Sequence, residues 1–135
     1  MITGMDIPIP YHLLGHTGLR IFPLALGTMT FGDQSFGQHD WGADEATSRA
    51  VFHSYLDAGG NFVDTANLYT GGQSEELLGR FVADAGVRDR VVLATKFTGP
   101  TDLSDPNAAG NGRKNIMRSL DASLRRLGTD YVDLY

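Results

Sequence analysis

The sequence predicts a parallel α/β fold. Two observations carry that expectation. Short apolar strands alternate three times with amphipathic helical segments before a further strand begins, and polar side chains capable of chemistry stand at the strand ends. A doubly wound sheet and a (β/α)8 barrel both fit the alternation. The first strand, LALGT, is not followed by G-x-G-x-x-G, and G-x-x-x-x-G-K-[ST] occurs nowhere. That absence favours the barrel, whose chemistry gathers at one rim of the sheet. A typical barrel takes ~250 residues, so this chain of 135 residues would supply roughly half of one.

The elements follow in order. In HLLGHTGLRIFPLALGT two apolar stretches flank the turn Gly15-His16-Thr17-Gly18, a hairpin signal, and LALGT then reads as the first buried strand. Residues 30–43 (TFGDQSFGQHDWGA) show no clear period and read as a long loop, which in a compact domain is usually functional or mobile. Asp44 suits the cap of a helix that places Ala46, Ala50, Val51, Tyr55 and Ala58 on one face before Gly59-Gly60 stops it. NFVDTA is the second strand. Ser74, with Glu75 and Glu76 behind it, suits the start of a helix buried through Leu77, Leu78, Phe81 and Val82. RVVLATK is the third strand, apolar at consecutive positions as expected when both faces are covered. The loop TGPTDLSDPNAAGNG leads to a helix with Ile116, Met117, Leu120, Leu124 and Leu127 in register, ended by Gly128. YVDLY opens a fourth strand, with Tyr131 and Tyr135 as strand core.

Composition narrows the function classes. A net charge of −5 without any Lys/Arg run argues against nucleic-acid binding. The absence of cysteine excludes disulfides and thiolate metal sites and suits a reducing cytoplasm. MITGMDIPIP is no signal peptide, and no apolar run approaches the length of a membrane span. A cytoplasmic protein acting on a small molecule is the expectation.

Asp64 lies at the end of the second strand, Tyr69 five residues later in the loop, and Lys96 closes the third strand. Neighbouring parallel strands end on the same side, so Asp64 and Lys96 are expected to meet at the rim. An ammonium beside a phenol stabilises the phenolate, and the carboxylate holds the ammonium in place. A phenol so placed can give its proton to a carbonyl oxygen. That suits hydride addition to a carbonyl, with the hydride drawn from a cofactor because no side chain supplies one. Taken singly, each residue has a plainer reading as a solvated lysine, a loop aspartate or a packing tyrosine; their shared rim is what favours chemistry. His12, His16, His39 and His53 show no metal-ligand spacing. Phe31 and Trp41 either line a pocket or pack the long loop.

LALGTMTFG, DAGGNFVDTANLY, RVVLATKF and GRKNIMRSLDASLRRLGTDYVDLY, in that order, resemble the N-terminal half of the aldo-keto reductase family from about Tyr11 onward. The resemblance implies a (β/α)8 barrel of which residues 1–135 give the N-terminal hairpin and roughly the first four strands and three helices. It implies NADPH-dependent reduction of aldehydes and ketones, with Asp64, Tyr69 and Lys96 as members of a catalytic tetrad. It also implies that the backbone of Gly27, Thr28 and Met29, with Asp64, lies along the nicotinamide. The tetrad histidine would fall three residues after Tyr135, and the groups that grip the adenosine phosphate belong to later segments. The expectation is therefore a truncated barrel that self-associates or meets a complementary C-terminal half. Two other readings stand beside the enzyme: a cofactor-binding regulatory module of the channel β-subunit type, and an inactive half-barrel.

Overall fold

The computed structural model describes residues 10–33 and 42–135. His39 and Trp41 lie outside the described residues. The chain begins with an antiparallel hairpin, β1 (His12–Leu13) and β2 (Arg20–Ile21), closed by Leu14 N–H donating to Leu19 O. A parallel sheet follows in the order β3 (Leu26–Gly27), β4 (Phe62–Asp64), β5 (Val92–Ala94). Helices α1 (Glu45–Asp57), α2 (Gln73–Ala85) and α3 (Arg113–Leu127) alternate with the strands. Residues 131–135 enter as a fourth strand through a single parallel bridge, Ala94 to Leu134. This is the predicted order of elements, in an α/β fragment with a parallel sheet.

The hairpin covers the N-terminal end of the sheet. Asn61, just before β4, accepts from Phe22 N–H at 2.7 Å and donates to Arg20 O at 2.9 Å. The Tyr11 hydroxyl donates to Gly59 O, and the Tyr55 hydroxyl accepts from Phe62 N–H. The opposite, C-terminal end of the strands carries Asp64 and Lys96, both at least partly exposed among the described residues.

Between sheet and helices lies a core of Phe31, Phe52, Val63, Leu77, Leu78, Phe81, Val82, Leu93 and Leu127. Burying each such side chain is worth roughly 1.5–3 kcal/mol, so this layer rather than helix propensity holds the fragment together. Phe31, buried against Phe81, takes its packing reading. The α2–α3 contact is close because residue 79 is Gly: a Cβ there would sit 2.5 Å from Leu127 O.

Two expectations about helix faces and one about a helix start need correction. In α1 the buried residues are Ser48 and Phe52, while Ala46, Ala50, Val51 and Ala58 are exposed. In α3 the buried stripe is Asn115, Ser119, Ser123 and Leu127; Met117 is exposed and Ile116, Leu120 and Leu124 are half-buried. Ser74 does not cap α2. It lies inside the helix, fully buried, and the first turn is met by Thr70 Oγ1 accepting from Ser74 N–H at 3.1 Å. Tyr131 and Tyr135 are also not core: both are exposed, Tyr131 beneath the Arg88 guanidinium and Tyr135 against Phe97.

Candidate active site

Parallel register sets the geometry of the open rim. Gly27 pairs with Asp64 and Asp64 with Ala94, so Lys96, two residues past Ala94, falls on the same face as Asp64. The alternate residues, Thr65 and Thr95, turn to the helix side, where both are buried.

Lys96 Nζ donates to Asp64 Oδ2 at 2.6 Å, to Thr65 O at 2.8 Å and to the Tyr69 hydroxyl oxygen at 3.3 Å. An ammonium has three hydrogens, and all three are committed. The Tyr69 oxygen therefore accepts, and its own hydrogen has no acceptor among the described residues. The Lys96 and Asp64 side chains are 47% and 35% exposed. An ion pair that open adds only ~0–1 kcal/mol to stability, so its consequence is orientation. The three residues named from sequence are thus brought together at one rim.

Beside them Gly27 and Met29 are exposed, and where a Gly27 Cβ would stand there is open space. They form an exposed ledge level with Asp64. Thr28 differs. Its side chain is buried, its N–H donates to Asp64 O, and its carbonyl accepts from Ser74 Oγ at 2.7 Å.

Sequence reading missed the polar layer under this rim. Ser74 Oγ lies 2.7–3.1 Å from Thr28 O, Thr28 Oγ1 and Thr65 Oγ1, joining β3, β4 and α2. Glu75, fully buried, accepts from Thr95 Oγ1 at 2.5 Å and from Arg126 Nε at 2.7 Å, and its Oε2 is ion-paired with Arg126 Nη2 at 2.6 Å. Burial, then the Glu75 carboxylate, push the nearby Tyr135 phenol up to about 12. Asn67, between Asp64 and Tyr69, is buried with both side-chain amide atoms unpartnered. The one sequence signal for Glu75 was its place in a first helical turn, which reads as surface charge.

A parallel sheet whose C-terminal rim joins an acid, a phenol and an amine is a scaffold able to carry proton chemistry, and comparison with known proteins gives its class. The Aldo/keto reductase family model matches residues 23–135, and the chain belongs to that family. It is 42% identical to a norsolorinic acid reductase of Emericella nidulans, over 94% of this chain and 36% of the relative. It is 41% identical to the uncharacterized oxidoreductase YrpG of Bacillus subtilis, over 93% of this chain and 38% of that protein. Among solved structures, the holo form of aldo-keto reductase AKR11C1 from Bacillus halodurans superposes with a TM-score of 0.76 at 30% identity, covering 94% of this chain and 39% of that one. The chain thus spans little more than a third of the length of the curated relatives it matches. Among the described residues no helix is long and apolar enough to cross a membrane.

Proposed function

We propose that this chain carries the proton-donating side of an NADPH-dependent carbonyl reductase, within a (β/α)8 barrel and in the cytoplasm. The observation that carries the reading is the Lys96 ammonium spanning Asp64 and Tyr69. Aldo/keto reductases use a nicotinamide cofactor, which when bound supplies the hydride. The Gly27–Met29 ledge beside Asp64 would take the nicotinamide edge. Tyr69 holds the proton that the nascent alkoxide takes, Lys96 stabilises the phenolate left behind, and Asp64 keeps Lys96 aimed.

Lys96→Met tests this directly in a complete barrel that contains the chain. Removing the charge that stabilises the phenolate left behind should lower the turnover of carbonyl reduction by about tenfold or more while NADPH binding changes little. Normal turnover would reduce Lys96 to a surface residue.

The 135 residues produced alone should behave differently. Among the described residues β3 pairs only with β4, and 131–135 only with β5, so both edges of the sheet offer unpaired backbone groups. Self-association, or docking of a complementary C-terminal half, would cover them. Size-exclusion chromatography with NADPH titration should show oligomers or aggregates and no reductase activity. A monodisperse monomer that binds NADPH and reduces an aromatic aldehyde would overturn the half-barrel reading.

A further inference from the structure

Tyr69 is weakly held on its N-terminal side, where its N–H reaches Ala66 O at a long 3.3 Å. On its other side stands Thr70, with φ 48° and ψ 41°, the one non-glycine residue with positive φ among those described. A β-branched side chain in the left-handed region is a genuine outlier, kept only where its surroundings enforce it. Gly71 and Gly72 continue with φ 66° and 100°, so the chain reverses sharply between Tyr69 and α2.

The enforcing contacts are specific. Thr70 Oγ1 donates to Phe31 O at 2.8 Å and accepts from Ser74 N–H at 3.1 Å. Gln73 Oε1 accepts from Asp33 N–H at 2.9 Å. Gly32 lets these groups close in, since a Cβ there would stand 2.8 Å from Thr70 Oγ1 and 2.5 Å from Gln73 Oε1. One hydroxyl therefore fastens the tyrosine's turn to the backbone after β3 and to the first turn of α2.

We propose that Thr70 is a positioning residue, whose hydroxyl holds the left-handed turn that sets the Tyr69 phenol against Lys96. The inference rests on the reading of Tyr69 as proton donor. The Lys96–Tyr69 contact, at 3.3 Å, is the longest of the three Lys96 makes, so a modest slackening of the turn breaks it.

The test compares Thr70→Val, which keeps the shape and deletes the hydroxyl, with Thr70→Ser, which keeps the hydroxyl. Both are made in the complete barrel, with Tyr69 intact and with Tyr69→Phe. With Tyr69 intact, Thr70→Val should lower kcat by about 10- to 100-fold, the scale of an ångström's misplacement. NADPH binding should stay within about twofold, and Thr70→Ser should restore most of kcat. In the Tyr69→Phe background Thr70→Val should cost nothing further. Should Thr70→Val fail to fold, Thr70→Gly deletes the same hydroxyl without left-handed strain and should show the same fall. Near-normal kcat in the hydroxyl-deleted variants beside a crippled Tyr69→Phe would overturn the inference alone, as would an equal loss in both backgrounds. Normal turnover of Tyr69→Phe would overturn both the proton-donor reading and the inference.

Discussion

Replacing Tyr69 with Phe in a complete barrel that contains this chain should lower carbonyl reduction by about 10²–10⁴-fold, the usual worth of a positioned general acid. NADPH affinity should change little. The substitution is sharp because it removes one oxygen and leaves the ring. Lys96 Nζ stands 5.0 Å from the Tyr69 ring centroid, a contact a phenyl ring preserves. Lys96 also keeps Asp64 and the Thr65 carbonyl, so the rim should not rearrange. What is lost is the single hydrogen of the cluster with no acceptor among the described residues. The check is single-turnover reduction of an aromatic aldehyde alongside cofactor-fluorescence titration. Turnover within a few-fold of the parent would remove Tyr69 from the role, and parallel loss of cofactor binding would make it a packing residue.

Strand order and the meeting of Asp64 and Lys96 were legible because both rest on parallel register, whereas Tyr69 is set by the turn that follows β4. Residues at matching strand ends share a rim wherever the strands are neighbours, and apolar runs mark the strands well. The helix faces were less legible. Apolar periodicity assumes that buried means apolar, yet α3 buries Asn115, Ser119 and Ser123. Asn115 Nδ2 donates to Phe97 O and Gly110 O, and Ser119 Oγ bonds to Asn115 Oδ1, so their polar atoms are satisfied inside. Ser48 in α1 does the same through Ala43 O. A serine whose partner is a distant carbonyl is indistinguishable in sequence from one facing water, and Ser74 was misread as a cap for that reason. Thr70 was invisible for another: nothing in the string LYTGG says which of its residues takes the left-handed conformation.

Arg126→Met is expected to be among the most destabilising single changes in the chain, at about 3–5 kcal/mol, because it strands a buried charge. Glu75 is fully buried, whereas the Arg126 side chain is 24% exposed. The two partners are therefore not equivalent. Without Arg126 the Glu75 carboxylate keeps only the Thr95 hydroxyl and has no solvent to turn to. Without the Glu75 charge, Arg126 can hydrate and still reach Ser123 Oγ. Glu75→Gln should accordingly cost less, about 1–3 kcal/mol for a hydrogen bond to a charged group. The double change Glu75→Leu with Arg126→Met should recover much of the loss, since an apolar pair of similar volume carries no desolvation penalty. Thermal midpoints of the complete barrel give the order directly: Arg126→Met lowest, then Glu75→Gln, with the double variant above Arg126→Met. Because Thr95 directly precedes Lys96 just past the end of β5, the same variants should disturb the rim, lowering kcat more than they raise KM. A Glu75→Gln protein less stable than Arg126→Met would mean that Arg126, not Glu75, is the partner that cannot stand alone, and the burial argument would fail.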